Sequence, residues 1–406
     1  MSSTKFALRN LYLNLYREWV RFCVFISPRK ATYLTAGTVL YSEVSSKILC
    51  YAQACKTYAW SPNVDGKQFQ TSSYLPDLFF RSIKDSYSIA YSPSLLLKNR
   101  ILAFPDSISL ERENRTRLES FPLVLVSKNS SIYVLRNPSK YSKTILGRVF
   151  VVGGSSNWYH LLFEILPKLY LVDKHFGEQP QNIIITRELM NFTNFAAAIN
   201  LFSSYHNLIV AASCEILWLE EAIIIDDFNI APLNVKPDLT LHPSDWKINN
   251  FMLNEFAIQL RSRLLSKDPP STKNKKLFLA RKNYSNRRYN QDSLIKISRE
   301  FGFQICNLEN YTLSEQFDII SNAQYLVGPP GSAWSSLIFS EKPLKCLSWV
   351  PHGRFQFSSL YSTISKILGH DMNFFYSGIN TSQIKQDPFF VDPNTFRYYL
   401  SKLLMP

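Results

Sequence analysis

The stretch from Lys276 to Phe339 constrains the chain most, because its pattern switches repeatedly between strand and helix periods. Lys275 to Ala280 ends in the apolar run Leu277-Phe278-Leu279-Ala280, as expected of a buried parallel strand. A turn rich in Asn and Ser comes next, carrying Arg281, Lys282, Arg287 and Arg288. Asn290 stands where a helix N-cap belongs, with Asp292 in the first turn. Leu294, Ile297 and Phe301 give that helix one apolar face, and Gly302 reads as its stop. A short strand is expected over Phe303 to Cys306. Thr312 and Glu315 then have capping-box spacing for a second helix. Tyr325-Leu326-Val327 reads as a third strand, running into Gly328-Pro329-Pro330-Gly331 and a helix from Ser332. This is the alternation of a parallel α/β sheet.

The last junction carries chemistry. A strand, a glycine-bearing turn and a helix N-terminus present backbone N–H groups and the positive end of a dipole, which suit a phosphate. The arginine turn leaves the carboxyl end of a neighbouring strand, the edge at which open α/β sheets bind ligands. Guanidinium groups and a helix N-terminus therefore converge on one crevice, and a diphosphate would satisfy both.

The blocks L-F-L-A-R-K, N-R-R-Y-N-Q-D-S-L, G-F-Q-I, L-S-E-Q, S-N-A and V-G-P-P-G-S-A-W-S-S-L-I-F, in that order, resemble family 61 glycosyltransferases. Upstream, N-W-Y-H-L-L-F-E-I-L-P-K-L (Asn157 to Leu169) is similar to that family's other hallmark. The similarity runs from about Arg148 to Val350. One departure stands out: the family pattern usually reads G-x-H-G-A, and here Pro330 occupies the His position and Ser332 the Ala position. The resemblance implies a transferase acting on a nucleotide sugar, with the GT-B arrangement of two Rossmann-like domains facing a cleft.

The rest of the chain fits an α/β protein of that kind. With 406 residues, 46% of them hydrophobic and 14% aromatic, it has material for several domains and a large core. The net charge of +14 favours polyanionic partners: an anionic membrane surface, nucleotide sugars or acidic glycans. No zinc-finger, helix-turn-helix or RNP motif supports nucleic acid as a partner. The six cysteines, Cys23, Cys50, Cys55, Cys214, Cys306 and Cys346, form no C-x-x-C pair and read as buried thiols of a reducing compartment.

Four regions are expected. Residues 1–30 form a basic segment in which Arg17 and Arg21 interrupt the apolar run, so neither a signal peptide nor a span is expected. An amphipathic helix packed on the body, or lying on an anionic surface, is the reading. Residues 31–145 read as a β-rich module, with strands at Ile101–Phe104, Leu123–Val126 and Ile132–Leu135, and Asp106, Glu111 and Glu113 as ordinary surface carboxylates. Residues 146–265 form a first, acceptor-side Rossmann-like domain. In it Val149–Val152 is a strand, Gly153 to Asn157 a turn, and the helix from Trp158 is kinked or interrupted by Pro167. Strands are expected at Asn182–Thr186, Leu208–Val210, Ile216–Leu219 and Ala222–Ile225, the last ending in Asp226 and Asp227. Pro243-Ser244-Asp245 is expected to cap a long helix from Trp246, and Lys267 to Lys276 to be a linker. Residues 276–406 form the second, nucleotide-sugar-binding Rossmann-like domain, closed by a helix within Phe389–Leu404.

Candidate site residues lie in both domains. His160 and Glu164 are four apart on one helical face and are candidates for the base that takes the acceptor's proton; either residue would serve. Arg281, Arg287 and Arg288 are candidates for the diphosphate, where leaving-group charge builds up. Gly328, Gly331 and Ser332 form the phosphate nest, and Glu315 is placed either on the ribose or in its own capping box. No metal or other cofactor is called for, since the adjacent Asp226-Asp227 pair is not D-x-D. The expected activity is inverting transfer to a glycan or glycolipid in surface polysaccharide assembly, in the cytoplasm and peripherally at the inner membrane face. Three alternatives remain: a degenerate relative that binds a nucleotide sugar or glycan, motivated by Pro330; a dinucleotide oxidoreductase; and a membrane scaffold. Against the oxidoreductase, no G-x-G-x-x-G follows a strand and no acidic residue sits suitably beyond one.

Overall fold

A computed structural model describes residues 33–90, 94–97, 101–104, 124–128, 132–136, 142–212, 215–230, 241–265, 275–281, 289–351, 355–377 and 390–405. The basic segment 1–30, Asp106, Glu111, Glu113, Arg287, Arg288 and most of the expected linker lie outside them.

The fold is mixed α/β and is built on two large sheets. The first holds strands β1 (Leu78–Ile89), β2 (Ser142–Val151), β3 (Asn182–Thr186), β4 (Asn207–Ala211) and β5 (Ile216–Ile225) in the order β4-β3-β2-β5-β1. The first four of that order are parallel, and β1 runs antiparallel to β5. Counted from β2, the parallel strands run 3-2-1-4, which puts the reversal of strand order between β2 and β5. The two strands expected at 216–219 and 222–225 are one, because both pieces pair with β1 and β2.

The second sheet holds β6 (Lys275–Leu279), β7 (Gln304–Cys306), β8 (Ala323–Val327), β9 (Lys345–Pro351) and β10 (Asp371–Ser377), all parallel, in the order β7-β6-β8-β9-β10. This is the 2-1-3-4-5 order of a doubly wound sheet, with its reversal between β6 and β8. The strands carry the continuous apolar runs that burial on both faces demands: Phe278, Val327, Cys346 and Trp349 are fully buried.

The β-rich N-terminal region does not stand apart from these sheets. Strands at Tyr33–Leu40, Ser46–Ala52, Leu95–Leu97, Ile101–Phe104, Val124–Lys128 and Ile132–Arg136 extend the first sheet beyond β1. Asn63–Val64 adds to the second, beside β10. The ribbon of Cys55–Trp60 and Gln70–Leu75 lies on helix α5 (Phe355–Ile367), where Trp60 N donates to Thr363 Oγ1 at 2.9 Å.

One helix links the two sheets through the core. Trp158–His160, Leu161–Ile165 and Leu166–Phe176 run on as helix α1, whose middle piece is a π turn. Asn157 caps it, its Oδ1 accepting from Tyr159 N at 2.9 Å. Pro167 interrupts the ladder as expected: it has no N–H to give Phe163, four residues back. That carbonyl accepts instead from Asn229 Nδ2 at 3.2 Å, and the helix widens by one residue rather than breaking. Leu161, Leu162, Leu169 and Val172 are buried in a core that continues through α3 (Asn250–Leu264) to the underside of the second sheet. The expected start of α3 at Trp246 is corrected: Pro243–Asp245 is a 3-10 turn of its own, and Lys247–Ile248 pairs with Asn229–Ile230. Asn249 makes the cap, accepting from Met252 N at 3.1 Å.

Among the described residues, no helix is long and apolar enough to cross a membrane. Cys50, Cys55, Cys306 and Cys346 are free thiols; Cys23 and Cys214 lie outside the described residues.

Candidate active site

The carboxyl ends of both sheets face one cleft of ≈ 900 Å³. From the first sheet come Ser156, Asn157 and Trp158 beyond β2, with Asn191 to Phe195 beyond β3. From the second come Ala280 and Arg281 beyond β6, Cys306 and Leu308 to Thr312 at and beyond β7, and Pro329, Gly331 and Ser332 beyond β8. The second sheet's reversal of strand order falls between β6 and β8, so Arg281 and the Gly328–Ser332 turn meet where such sheets bind ligands.

Arg281 is set in place at both ends. Its backbone N–H donates to Gln291 Oε1 at 2.7 Å and its carbonyl accepts from Gln291 Nε2 at 2.9 Å. Tyr289 Oη donates to the same Oε1 at 2.8 Å. Gln291 opens helix α4 (Gln291–Glu300), so the carboxamide ties the strand end to the helix start. At the other end the guanidinium donates to the Pro330 carbonyl and lies against Gly331. A Cβ on Gly331 would fall 2.7 Å from Arg281 Nη2, so glycine at that position makes room for the arginine. Gly328 serves closeness too: a Cβ there would lie 2.9 Å from Leu279 Cβ, at the junction of β8 and β6. The helix expected from Ser332 is a 3-10 helix, Ser332–Phe339, whose first residues line the cleft. Trp334 is buried behind the turn and donates to the Pro329 carbonyl at 3.0 Å, holding the double-proline turn from inside.

The two halves touch beside the cleft. Trp158 Nε1 donates to Ser336 Oγ at 3.0 Å, and Asn194 Nδ2 donates to the Tyr311 carbonyl at 2.7 Å.

Glu315 closes its capping box, accepting from Thr312 N at 2.8 Å and from Thr312 Oγ1 at 2.8 Å, and is not among the residues lining the cleft. Those two bonds hold its carboxyl below the usual range. The acidic residue that does line the cleft is Glu309, exposed and three residues beyond the end of β7. β7 is the second strand of the sheet by chain order and pairs with β6, so Glu309 stands beside the strand that ends before Arg281. Sequence reasoning missed it because a 3-10 turn, Leu308–Asn310, separates Glu309 from the strand. Asn290 likewise does not cap α4; its side chain bonds the backbone of Val391 on both sides, at 2.8 Å each.

His160 and Glu164 are brought together, with Nδ1 and Oε2 2.8 Å apart and each side chain about one-fifth exposed. They are not among the residues lining the ≈ 900 Å³ cleft. The pair belongs to the other reversal of strand order, between β2 and β5. One helical turn further on, Lys168 Nζ lies 2.7 Å from Oδ1 of Asp227, which follows β5. Asp226 beside it is turned inward and paired with buried Arg81 at 2.8 Å. Burial by itself would lower the His160 pKa, but the hydrogen bond and attraction of Glu164 outweigh it and raise the imidazole above its usual value. Tyr159, next in line, is buried, which pushes its hydroxyl well above the usual range; the hydroxyl accepts from Asn229 Nδ2 at 3.0 Å.

Among the described residues, no three His, Cys, Asp or Glu side chains gather as metal ligands would. No curated protein matches the chain. The family model described as Glycosyltransferase 61 matches residues 158–347, which reach from the first residue of α1 into β9 and contain Arg281, Glu309, the Gly328–Ser332 turn and the His160–Glu164 pair. Over that span the match supports a family 61 glycosyltransferase, as the sequence blocks led us to expect.

Proposed function

We propose that the chain transfers a sugar from a nucleotide-sugar donor to a glycan or glycolipid acceptor, with inversion. The observation that carries the reading is the meeting of Arg281 and the Gly328–Ser332 turn at the reversal point of a doubly wound sheet, inside one cleft. The donor's diphosphate lies there, and the ribose reaches Glu309 rather than Glu315. The two sheets act as the halves of a GT-B enzyme, residues 146–265 on the acceptor side and residues 276–406 on the donor side. Charge on the leaving diphosphate is met by Arg281 and by the N–H groups that open the 3-10 helix, so those contacts strengthen as the glycosidic bond breaks. The acceptor hydroxyl gives its proton to Glu164 or His160. Glu164 keeps the imidazole protonated to higher pH than usual, so His160 acts as a base only above that raised pKa. Surface polysaccharide assembly at the cytoplasmic face of a membrane suits the basic balance of +14.

Thermal-shift binding across UDP, GDP, CMP and dTDP sugars, with R281A in parallel, tests this. Binding that R281A weakens at least about tenfold supports the reading; no shift with any donor sinks it. A second reading, a nucleotide-sugar-binding relative without turnover, is favoured by the Arg281 guanidinium already donating to the Pro330 carbonyl. Donor binding without hydrolysis or transfer, restored to turnover by P330H, would select it.

A further inference from the structure

We propose that the ring of Phe192 is the platform on which the donor's nucleobase stacks. The inference rests on the nucleotide-sugar reading above and adds the base-binding end of that same cleft. Phe192 is 51% exposed, yet it lines the concave wall of the cleft instead of an outer surface. Its backbone is fixed: the carbonyl accepts from Phe195 N and Ala196 N, each at 2.9 Å, as helix α2 (Thr193–Ser203) begins. Its ring ends a continuous aromatic array. Phe192 lies 5.2 Å from Phe195, Phe195 lies 5.4 Å from Trp158, and Trp158 lies 6.3 Å from Phe339 on the 3-10 helix. Of these rings only Phe192 is exposed; Phe195 and Trp158 behind it are partly buried and Phe339 is fully buried, so the array backs the open ring from one side.

The topology says which part of a ligand comes to this ring. In a doubly wound sheet the phosphates sit at the turn after the first strand, and the nucleoside extends over the second. The first strand here is β6, ending at Arg281, and the second is β7, the edge of the sheet. Glu309, Asn310 and Tyr311 come after β7 and line the cleft. Asn194, two residues from Phe192, donates to the Tyr311 carbonyl at 2.7 Å, so the wall bearing Phe192 is fastened at the nucleoside end. A base carried past Glu309 therefore arrives at the open ring. Every base has a π face, so the platform gives affinity, and the polar groups beside it, Asn191, Thr193 and Asn310, are left to choose among bases.

The test is calorimetric titration of the full chain with UDP, GDP, CDP, dTDP and inorganic pyrophosphate, for the wild type, F192A and F192Y. Stacking one base on an aromatic side chain corresponds to about 5- to 150-fold in affinity. F192A should lose that much for the tightest nucleoside diphosphate and nothing for pyrophosphate, and F192Y should bind as the wild type does. Unchanged nucleoside diphosphate binding by F192A overturns the proposal and assigns the ring to another occupant, such as an acceptor sugar. Equal loss for pyrophosphate overturns it as well, because the ring would then act by holding the wall. A wild-type chain that binds neither probe sinks the donor reading together with this one.

Discussion

The smallest change that should disable the donor cleft is one methyl group, in G331A. The backbone of Gly331 has φ of 162°, extended and open to any residue, so alanine brings no conformational strain there. The added Cβ would lie 2.7 Å from Arg281 Nη2 and 3.7 Å from its Cζ. The obstructed atom is the tip of a flexible side chain, so the guanidinium moves and the fold does not. The melting temperature should shift by no more than about 2 °C, the effect of less than 1 kcal/mol in a chain of this size. Donor binding should suffer, because the displaced guanidinium loses a charge-assisted hydrogen bond worth about 1.5–3 kcal/mol. That corresponds to roughly 10- to 150-fold in the donor's Kd, read by calorimetric titration. R281A should cost a similar factor, and the double variant R281A/G331A little more than either, since both remove one contact. Wild-type donor affinity in G331A, with the fold intact, would refute the idea that Arg281 works from its seat on Gly331.

Other outcomes can be checked with equal economy. In E164Q the support for the imidazolium is gone and burial remains, so the His160 pKa should fall below its wild-type value, as NMR titration would show. The wild-type pair's contribution to stability is fully present below about pH 6.5, the ordinary histidine value, and disappears as pH rises through the raised pKa of His160. His370 has the opposite sign: burial and then nearby Arg261 lower its pKa to about 4, and the neutral ring accepts from Leu344 N while donating to the Leu337 carbonyl. Stability should therefore fall by up to about 1.4 kcal/mol per pH unit as pH drops from about 6.5 toward that value, and H370Q should flatten the slope in thermal melts. E309Q should weaken nucleoside diphosphate binding, whereas E315A, which opens the capping box outside the cleft lining, should lower the melting temperature and leave that binding alone. R81M should destabilise by about 3–5 kcal/mol in denaturant titrations, because Asp226 would stay buried without its cation.

The parts of the site set by local pattern were legible in the sequence. β6, β7 and β8 arise from their apolar runs, Gly302 takes φ of 79° as a helix stop must, and the Thr312–Glu315 box forms as its spacing predicts. The His160–Glu164 contact survives the π turn because neighbours four apart remain close when the helix widens. What was illegible depended on partners distant in the chain. Asn290 has the composition of a cap, but Val391, one hundred and one positions away, takes both of its side-chain bonds. Asn249 was passed over because nothing near Trp246 signals that Lys247–Ile248 pairs with Asn229–Ile230. Gln291 and Glu309 carry no motif; their significance rests on strand order, which periodicity does not contain. The same holds for Tyr33–Arg136: the strands at Ile101–Phe104, Leu123–Val126 and Ile132–Leu135 were expected singly, but not the division of this region among three sheets.

That shared membership bears on what a working fragment must include. The chain passes from Ser46–Ala52 in the first sheet to Asn63–Val64 in the second, returns at β1, and crosses again between β5 and β6. The span matched by the family, residues 158–347, is therefore not a unit that can fold by itself. It lacks β2, the strand at the centre of the first sheet's parallel order, and β1, which pairs with β5 along its length. It also lacks β10 and the strand that finishes the far edge of the second sheet. Excised at those limits, both sheets would expose long unpaired edges, and the product would aggregate before it met a substrate.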